Sequence, residues 1–543
     1  MTGGVRTGAL RRAVQAAFAA ADRTFDRPFG AAANPWRHLG ALGFLLFWIV
    51  AATGVYVYVG YDSRAAGAYA SVAALTSNAF PLGSFARSLH RYASDALVVV
   101  VLLHLAREWA FERYAHFRRF SWLTGVALLW LVFASGIGGF WLVWDRIAQY
   151  SLTATAEWLD VLPFFGGALV RNFIAADAVS DRFFSLLVFL HIGFPLALLA
   201  LMWVHLQRLA RPRTHPPRVL GWGTAVALAL LSLVRPVASA PPADLAVAPG
   251  TLPLDWFYLG VHAFADATSP ALLWGVAAAF TLWLSALARW SGAARRAPPR
   301  AAVVDLANCN GCGRCFADCP YAAVTMTARS DGRALPRQAA VDPALCAGCG
   351  ICAGACPSST PFRSVRDLVT GIDLPQAPVH ALRALLDSAL DRFAALARDP
   401  ARPRVVVFGC APDGDASGFA SVADARTAPI GVLCAAQVPP SFVEFALRSG
   451  ADGVLVTGCR TGDCAFRLGD RWTAERIAGG REPHLRAAVA RARVHLAWVD
   501  RRDARGLAAA LAAFRATLAA TTPPDAPHVP PKRIGGGTAT HPA

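Results

Sequence analysis

Two residue types in this chain recur at spacings that suit redox metals. His90, His104, His191 and His205 sit inside long apolar stretches, in two pairs whose members are fourteen residues apart. Fourteen residues is nearly four helical turns, so each pair lies on one helix face with about 21 Å between its members. Imidazole nitrogen is a common axial ligand of haem iron. Polar side chains inside a membrane are costly and usually functional. Four buried histidines bonded to neighbouring backbone are the plainer alternative. With both helices running the same way, His90 is level with His191, and His104 with His205. That makes two axial pairs, one near each membrane surface. Glycines repeat the period at Gly40 and Gly54, and at Gly125 and Gly139. Glycine lets a flat macrocycle approach the backbone, although small residues also serve helix packing.

All twelve cysteines fall after residue 308. Residues 309–320 read CNGCGRCFADCP and residues 346–357 read CAGCGICAGACP. Both are the C-x2-C-x2-C-x3-C-P run of bacterial two-cluster ferredoxins, in which three thiolates grip one cubane and the fourth reaches the other. Cys309, Cys312, Cys315 and Cys356 are thus assigned to one [4Fe–4S] cluster. Cys346, Cys349, Cys352 and Cys319 are assigned to the second. A pair of zinc sites is the alternative, and the third cysteine and trailing proline of each run argue against it. Four cysteines remain: Cys410, Cys434, Cys459 and Cys464. Three of them end apolar runs, VVVFGC, IGVLC and GVLVTGC. On parallel strands these ends gather at one sheet edge, where α/β proteins place ligands. Four converging thiolates suit a [2Fe–2S] cluster; buried free cysteines are the alternative.

The elements that must hold these residues follow from composition. The 543 residues are 55% hydrophobic with 16 Trp, and mean hydropathy is +0.41. That exceeds the usual globular range and points to a membrane part. Apolar stretches at 39–61, 88–111, 120–143, 183–206, 219–234 and 269–288 mostly approach the ~20 residues that cross a bilayer core. They predict about six membrane helices, the fifth being the shortest. Arginines crowd the segment before the first helix, the second and fourth connections, and the segment after the sixth. By the positive-inside rule both ends are cytoplasmic. The net charge of +17 lies in short segments flanking apolar runs, which excludes a nucleic-acid partner. No secretory signal precedes Trp36.

The predicted fold is multidomain. Residues 1–35 are a cytoplasmic N-terminal segment, and 36–210 are a four-helix haem domain. Residues 211–295 hold two further membrane helices. Residues 297–365 form a ferredoxin-like α+β domain for two [4Fe–4S] clusters, and 366–402 a linker with an amphipathic helix at 379–398. Residues 403–518 form an α/β [2Fe–2S] domain, and 519–543 a disordered tail rich in Pro, Gly and Thr. The third connection is about 40 residues, and 162–175 within it predict a surface helix.

On these residues, 36–208 resemble the N-terminal half of cytochrome b from the cytochrome bc and bf complexes. The resemblance makes the four histidines haem ligands and the four glycines haem contacts. It matches Arg87, three before His90, to an arginine that pairs with a haem propionate. GFWLVWDR at 139–146 is similar to the end of the family's third helix, with Val143 where proline is usual. Residues 219–290 resemble the first part of its C-terminal half. PLDWFYL at 253–259 is similar to its quinol-site motif, Pro-Glu-Trp-Tyr. Asp255 then stands at the glutamate and Phe257 at the tyrosine. An ordinary loop acid is the alternative for Asp255. GADGVLVTGCRTGDC at 450–464, with the following FRLGD, resembles the delta subunit of methyl-viologen-reducing hydrogenase. Here Ala465-Phe466 replace a frequent His-Tyr, and Cys410 stands alone where that family often has two nearby cysteines.

The resemblances imply a quinone-linked oxidoreductase subunit in a bacterial cytoplasmic membrane, with the iron–sulfur domains on the cytoplasmic side. Its cofactors are two b-type haems, two [4Fe–4S] clusters and one [2Fe–2S] cluster. Its partners are the bilayer, quinone, and a soluble flavoprotein, heterodisulfide-reductase-like or dehydrogenase subunit. Asp255 is the candidate proton carrier, and a homodimer is implied as in cytochrome bc complexes. No nucleophile–base pair or nucleotide loop is evident, so substrate catalysis falls to a partner. Two rivals stand beside this reading: an electron relay without its own quinone site, and a redox sensor.

Overall fold

The apolar runs fold as helices because backbone amides in lipid must be satisfied within their own segment. The computed structural model describes residues 5–77, 81–164, 179–247, 250–295, 298–363, 368–412, 416–500 and 503–521. The chain divides into two compact units, Met1–Pro298 and Pro299–Ala543.

In the first unit, α1 (Val5–Ala33) precedes α2 (Leu39–Val59), a short α3 (Ala68–Leu75) and α4 (Pro81–Ala110). Then come α5 (Arg119–Trp141), α6 (Arg146–Asp160), α7 (Asp181–Leu206) and α8 (Arg218–Val234). After them come α9 (Gly260–Ala267) and α10 (Pro270–Trp290), followed by a four-residue helical turn at Gly292–Arg295. α2 packs on α4, and α5 on α7. Trp48, Val59, Phe189, Trp203 and Trp222 are exposed on the outside. An apolar surface of this kind suits lipid rather than water.

Among the described residues five helices, not six, are long and apolar enough to cross a membrane: Leu39–Val59, Pro81–Ala110, His116–Trp141, Asp181–Leu206 and Pro270–Arg295. The fifth expected span, α8, has 17 residues. That gives it a length of about 25 Å, short of the ~30 Å hydrocarbon core. Proline accounts for its start: Pro217 is its N-cap.

The expected surface helix at 162–175 falls mostly outside the described residues. The same connection instead forms α6, whose buried face includes Leu152 and Trp158. α1 was not foreseen as a packed element. Its Asp22 is 3% exposed and meets Arg107 of α4 at 3.2 Å, with Arg37 at 3.8 Å. Two arginines that read as membrane-flanking charges thus also tie the N-terminal segment to the end of α4.

In the second unit, β1 (Val303–Val304) pairs with β4 (Ile372–Asp373), and β2 (Val324–Ala328) with β3 (Arg337–Val341), both antiparallel. Two five-residue helices, α11 (Arg314–Asp318) and α12 (Ile351–Ala355), each begin after a glycine at positive φ, Gly313 at 76° and Gly350 at 79°. A side chain is strained there, which explains the glycine after the second cysteine of each run. The stretch read as a connector forms α13 (Val379–Ala394), whose Leu382, Leu386 and Phe393 join the core of the following sheet. That sheet is all parallel, in the order β6 (Thr427–Val432), β5 (Val405–Cys410), β7 (Gly453–Thr457), β8 (Val494–Ala497). Its fully buried central strands are valine-rich, as both faces are covered. α14 (Pro440–Arg448), α15 (Gly469–Ala478) and α16 (Ala504–Thr521) complete it. The tail expected to be disordered lies, from 522 onward, outside the described residues.

Candidate metal centres

Each of the four glycines faces one of the four histidines. A Cβ added at Gly54 would lie 2.9 Å from Cε1 of His90, and one at Gly139 would lie 3.0 Å from Cε1 of His191. Gly40 and Gly125 stand likewise against His104 and His205, with 3.6 and 3.5 Å. The pairing is antiparallel: the glycine early in α2 meets the histidine late in α4. A fourteen-residue step in one helix must therefore match a fourteen-residue step in its neighbour, because both rise equally per residue. The glycines seat the imidazoles directly, a contact beyond the two that the sequence reading weighed, the macrocycle and helix packing.

The rings of His90 and His191 have centroids 6.4 Å apart and planes inclined at 68°. Two metal–nitrogen bonds of about 2.0–2.1 Å, plus two ring radii, require a separation of about 6 Å. The gap fits an iron between the rings. His104 and His205 are also electrostatic neighbours. Nδ1 of His90 lies 2.9 Å from the Val50 carbonyl, and Nδ1 of His191 lies 3.1 Å from that of Ser135. Nδ1 of His205 is 2.9 Å from Oγ1 of Thr124. A proton donated from Nδ1 to such an acceptor leaves Nε2 with the lone pair a metal needs. Arg87 is 9% exposed and donates from Nη2 to Ser239 at 2.9 Å, while its Nη1 is buried with no partner. An orphaned guanidinium N–H one turn from His90 fits an acidic group on a bound haem.

Asp255 is not an exposed loop acid. Its side chain is 8% exposed and ion-paired with Arg91, the residue after His90. Arg91 also meets Asp95 at 3.5 Å and lies 4.3 Å over the Phe140 ring. The PLDWFYL loop therefore sits at the His90 end of the bundle. Tyr258 anchors it: the ring is 1% exposed and its hydroxyl donates to the Ser94 carbonyl at 2.8 Å. A Cβ at Gly136 would overlap that ring, which gives this glycine a packing role that sequence reasoning did not foresee. Phe257, by contrast, is half exposed. His262 was also missed. It is fully buried on α9, within hydrogen-bond reach of Ser151, and its ring lies 4.2 Å from that of Trp158, tilted at 49°. A lone histidine in an eight-residue helix carries no period that would single it out.

The cysteines fall into three groups. Cys309, Cys312, Cys315 and Cys356 line one pocket with Met326 and Ile372. Cys352 is an electrostatic neighbour of Cys349, Cys346 and Cys319. The crossover expected of the doubled run, with the fourth cysteine of each lying in the other's set, is present. Backbone N–H groups of Ala323 and Gly348 point at Cys319 Sγ and Cys346 Sγ, at 3.3 and 3.5 Å. In the third group Cys410 is hydrogen-bonded to Cys434 and Cys459, and Cys464 to Cys434 and Cys459. This closed ring of four thiols lies beyond the C-terminal ends of β5, β6 and β7. The Ala435 N–H donates to Cys410 Sγ at 2.9 Å. Gly458 and Gly469 leave room for the sulfurs: a Cβ at Gly458 would lie 2.9 Å from Cys410 Sγ. Gly469 would likewise crowd Cys434 and Cys464, which accounts for the glycine of the FRLGD string.

Burial pushes the Cys315 thiol up to about 12 and raises Cys349 and Cys352 as well. Thiols so buried stay protonated in water, and binding iron in exchange for the proton is what releases them. The first two sets therefore fit iron–sulfur ligation, and the third offers four adjoining sulfurs of the kind a cluster takes.

Apolar helices with facing histidines, joined in one chain to cysteine-dense soluble folds, define a membrane electron-transfer protein. The chain belongs to the cytochrome b family: residues 25–212 match the model of cytochrome b/b6/petB. It is 31% identical over 174 residues to cytochrome b6 of Amphidinium operculatum, across 31% of this chain and 78% of that one. It is 29% identical over 171 residues to cytochrome b6 of Oltmannsiellopsis viridis, with the same shares. Residues 308–360 match a 4Fe-4S dicluster domain, and residues 405–521 match the delta subunit of methyl-viologen-reducing hydrogenase. A solved structure described as a hyperthermophilic respiratory Complex III aligns with a TM-score of 0.39 at 19% identity, over 46% of this chain and 74% of that chain. All three resemblances read from the sequence are borne out. Haem and [4Fe–4S] clusters are implied by the matched families, and the five apolar helices make this a multi-pass membrane protein.

Proposed function

We propose that this chain carries electrons between a soluble cytoplasmic redox partner and the membrane quinone pool. The observation that carries the proposal is the placement of two facing histidine pairs along one bundle, with Asp255 paired to Arg91 at the His90 end. Haem and iron–sulfur clusters, when bound, supply one-electron carriers. His90 with His191, and His104 with His205, would hold one haem each, and Arg87 would bind a propionate. The Cys309 and Cys346 sets would each hold a [4Fe–4S] cluster. Cys410, Cys434, Cys459 and Cys464 would hold a [2Fe–2S] cluster, facing a flavoprotein or dehydrogenase partner. The arginine-rich connections support a topology with the N-terminus and the iron–sulfur unit on the cytoplasmic side of a bacterial inner membrane.

The PLDWFYL loop then lies outside, beside the outer histidine pair. There Asp255 takes or gives the proton that quinone turnover moves, within hydrogen-bond reach of the substrate. One observation favours the rival reading of a relay without a quinone site: the carboxylate is engaged by Arg91 and opens to substrate only if that pair parts. Quinol-dependent reduction of the purified protein separates the two. Asp255→Asn should slow it about a hundredfold, within the range of general acid–base effects, with both haem spectra intact. Unchanged turnover in that variant assigns quinone to the inner pair or removes it altogether.

A further inference from the structure

Among the described residues of the second unit, a buried cation touches ligand-bearing segments of two different cysteine sets. Arg476 of α15 is 1% exposed. Its Nη2 meets Asp318 at 2.5 Å, and Asp318 immediately precedes Cys319. Nη2 also reaches the carbonyl of Ile351 at 3.4 Å, next to Cys352. Its Nη1 donates at 2.8 Å to the carbonyl of Ala436, two residues after Cys434. The Nε of Arg476 is buried without a partner. Asp318 is 2% exposed, and a second arginine, Arg481, meets it at 2.6 Å. Trp472 donates to its carbonyl at 3.1 Å. A Cβ on Gly354 of α12 would overlap the Ala436 carbonyl, so the two ligand segments are in direct backbone contact.

A buried ion pair is a poor stability device, because apolar side chains of the same volume often do as well. A weld between two folds would not require a charge there. A charge beside two electron carriers does have an effect: it favours the reduced, more negative state of both. None of these contacts reaches residues 309–315 or Cys356, which bear the other cubane set.

Resting on the cluster assignments above, we propose that Arg476 is a positioning residue. It couples the Cys410/Cys434/Cys459/Cys464 site to the Cys346/Cys349/Cys352/Cys319 site and raises the reduction potential of both. The order of carriers follows. One electron leaves the four-cysteine site and one arrives at the Cys346 set, with no bond or proton involved. The Cys309 set, with Cys312 exposed to solvent, comes after it.

The test is a redox titration followed by electron paramagnetic resonance on the purified full chain. The signal of the Cys309 set is identified by its loss in Cys312→Ser. Arg476→Gln should shift the reduction equilibrium of the [2Fe–2S] site and of one cubane at least tenfold toward the oxidised form. It should also weaken the spin–spin relaxation between them, and leave the Cys309 signal in place. Arg476→Lys keeps the charge but not the fork, and should hold both equilibria within about threefold of wild type. Asp318→Asn removes the opposite charge and should shift the Cys346-set cubane toward the reduced form. These two variants keep the test open if Arg476→Gln does not fold. Equal behaviour of the Gln and Lys variants, a shift as large in the Cys309 set, or a wrong sign in Asp318→Asn overturns the proposal. Absence of any [2Fe–2S] signal in the wild-type protein instead defeats the cluster assignment beneath it, before any variant is made.

Discussion

The histidine pairs of the membrane unit and the four-cysteine ring of the soluble unit solve the same problem by different means. Both must bring ligands from distant sequence positions onto one point. In the bundle, straight helices do this by regularity. Because rise per residue is constant, the fourteen-residue step in α4 recurs in α7, and in the glycines of α2 and α5. In the parallel sheet nothing repeats. Cys410 ends β5, Cys434 and Cys459 follow β6 and β7, and Cys464 sits in a loop. Their meeting depends on strand order, with β5 between β6 and β7. Periodic architecture fixes which residues face each other; at a sheet edge the sequence offers only strand-end residues, and strand order decides which of them meet.

The sharpest break of this comparison is a ligand deletion in the bundle. His104→Leu or His205→Leu should remove one haem entirely and leave most of the other, as read from the pyridine haemochrome and low-temperature spectra. Equal loss from all four histidine variants would mean that the pairs do not act separately. In the sheet, Cys459→Ser should abolish the [2Fe–2S] resonance while iron and sulfide for two cubanes remain. Loss of a cubane in that variant would contradict the division into three sets.

A smaller effect distinguishes the glycines. Gly54→Ala puts a methyl 2.9 Å from His90, whereas Gly40→Ala puts one at an ordinary 3.6 Å from His104. The first should cost about 1–3 kcal/mol by overpacking, seen as a lower melting temperature and weaker retention of the haem at His90. The second should be near wild type. Similar behaviour of the two would mean that the imidazoles move freely. The smallest effect concerns direction. Electrons passing from cytoplasmic carriers to an outer quinone move outward, toward the positive side, driven by roughly 2.3 kcal/mol per charge per 100 mV, and so draw down a normal proton-motive force. In sealed vesicles an uncoupler should therefore slow reduction of quinone by the cytoplasmic partner. No change on uncoupling would move the quinone to the inner pair.

Much of the site was legible in the sequence, for physical reasons specific to each part. The doubled cysteine run is local, and only its fourth member crosses over. The histidines declare themselves because polar groups in apolar helices are rare. What was not legible depended on contacts across the chain. PLDWFYL is recognisable as a string, but the pairing of Asp255 with Arg91 and the seating of Tyr258 against Gly136 are not. The span of α8 was over-read, because apolar composition does not measure the length of a helix that begins only after Pro217. The packing of α1 through Asp22 was missed, since buried ion pairs carry no sequence period.

By itself the sequence determined which residues could bind metal, which helices they ride on, and the level at which the histidines face each other. These follow from local rules, the helical rise, the cysteine spacing and the cost of polarity in lipid, and local rules survive without coordinates. The sequence also offered the four later cysteines as converging on a sheet edge; the tertiary structure alone decided the strand order that closes them into one ring, that each glycine backs one imidazole, and that Arg476 lies between two cysteine sets. Those facts depend on strand order and helix pairing, which set distances between residues that the chain leaves far apart.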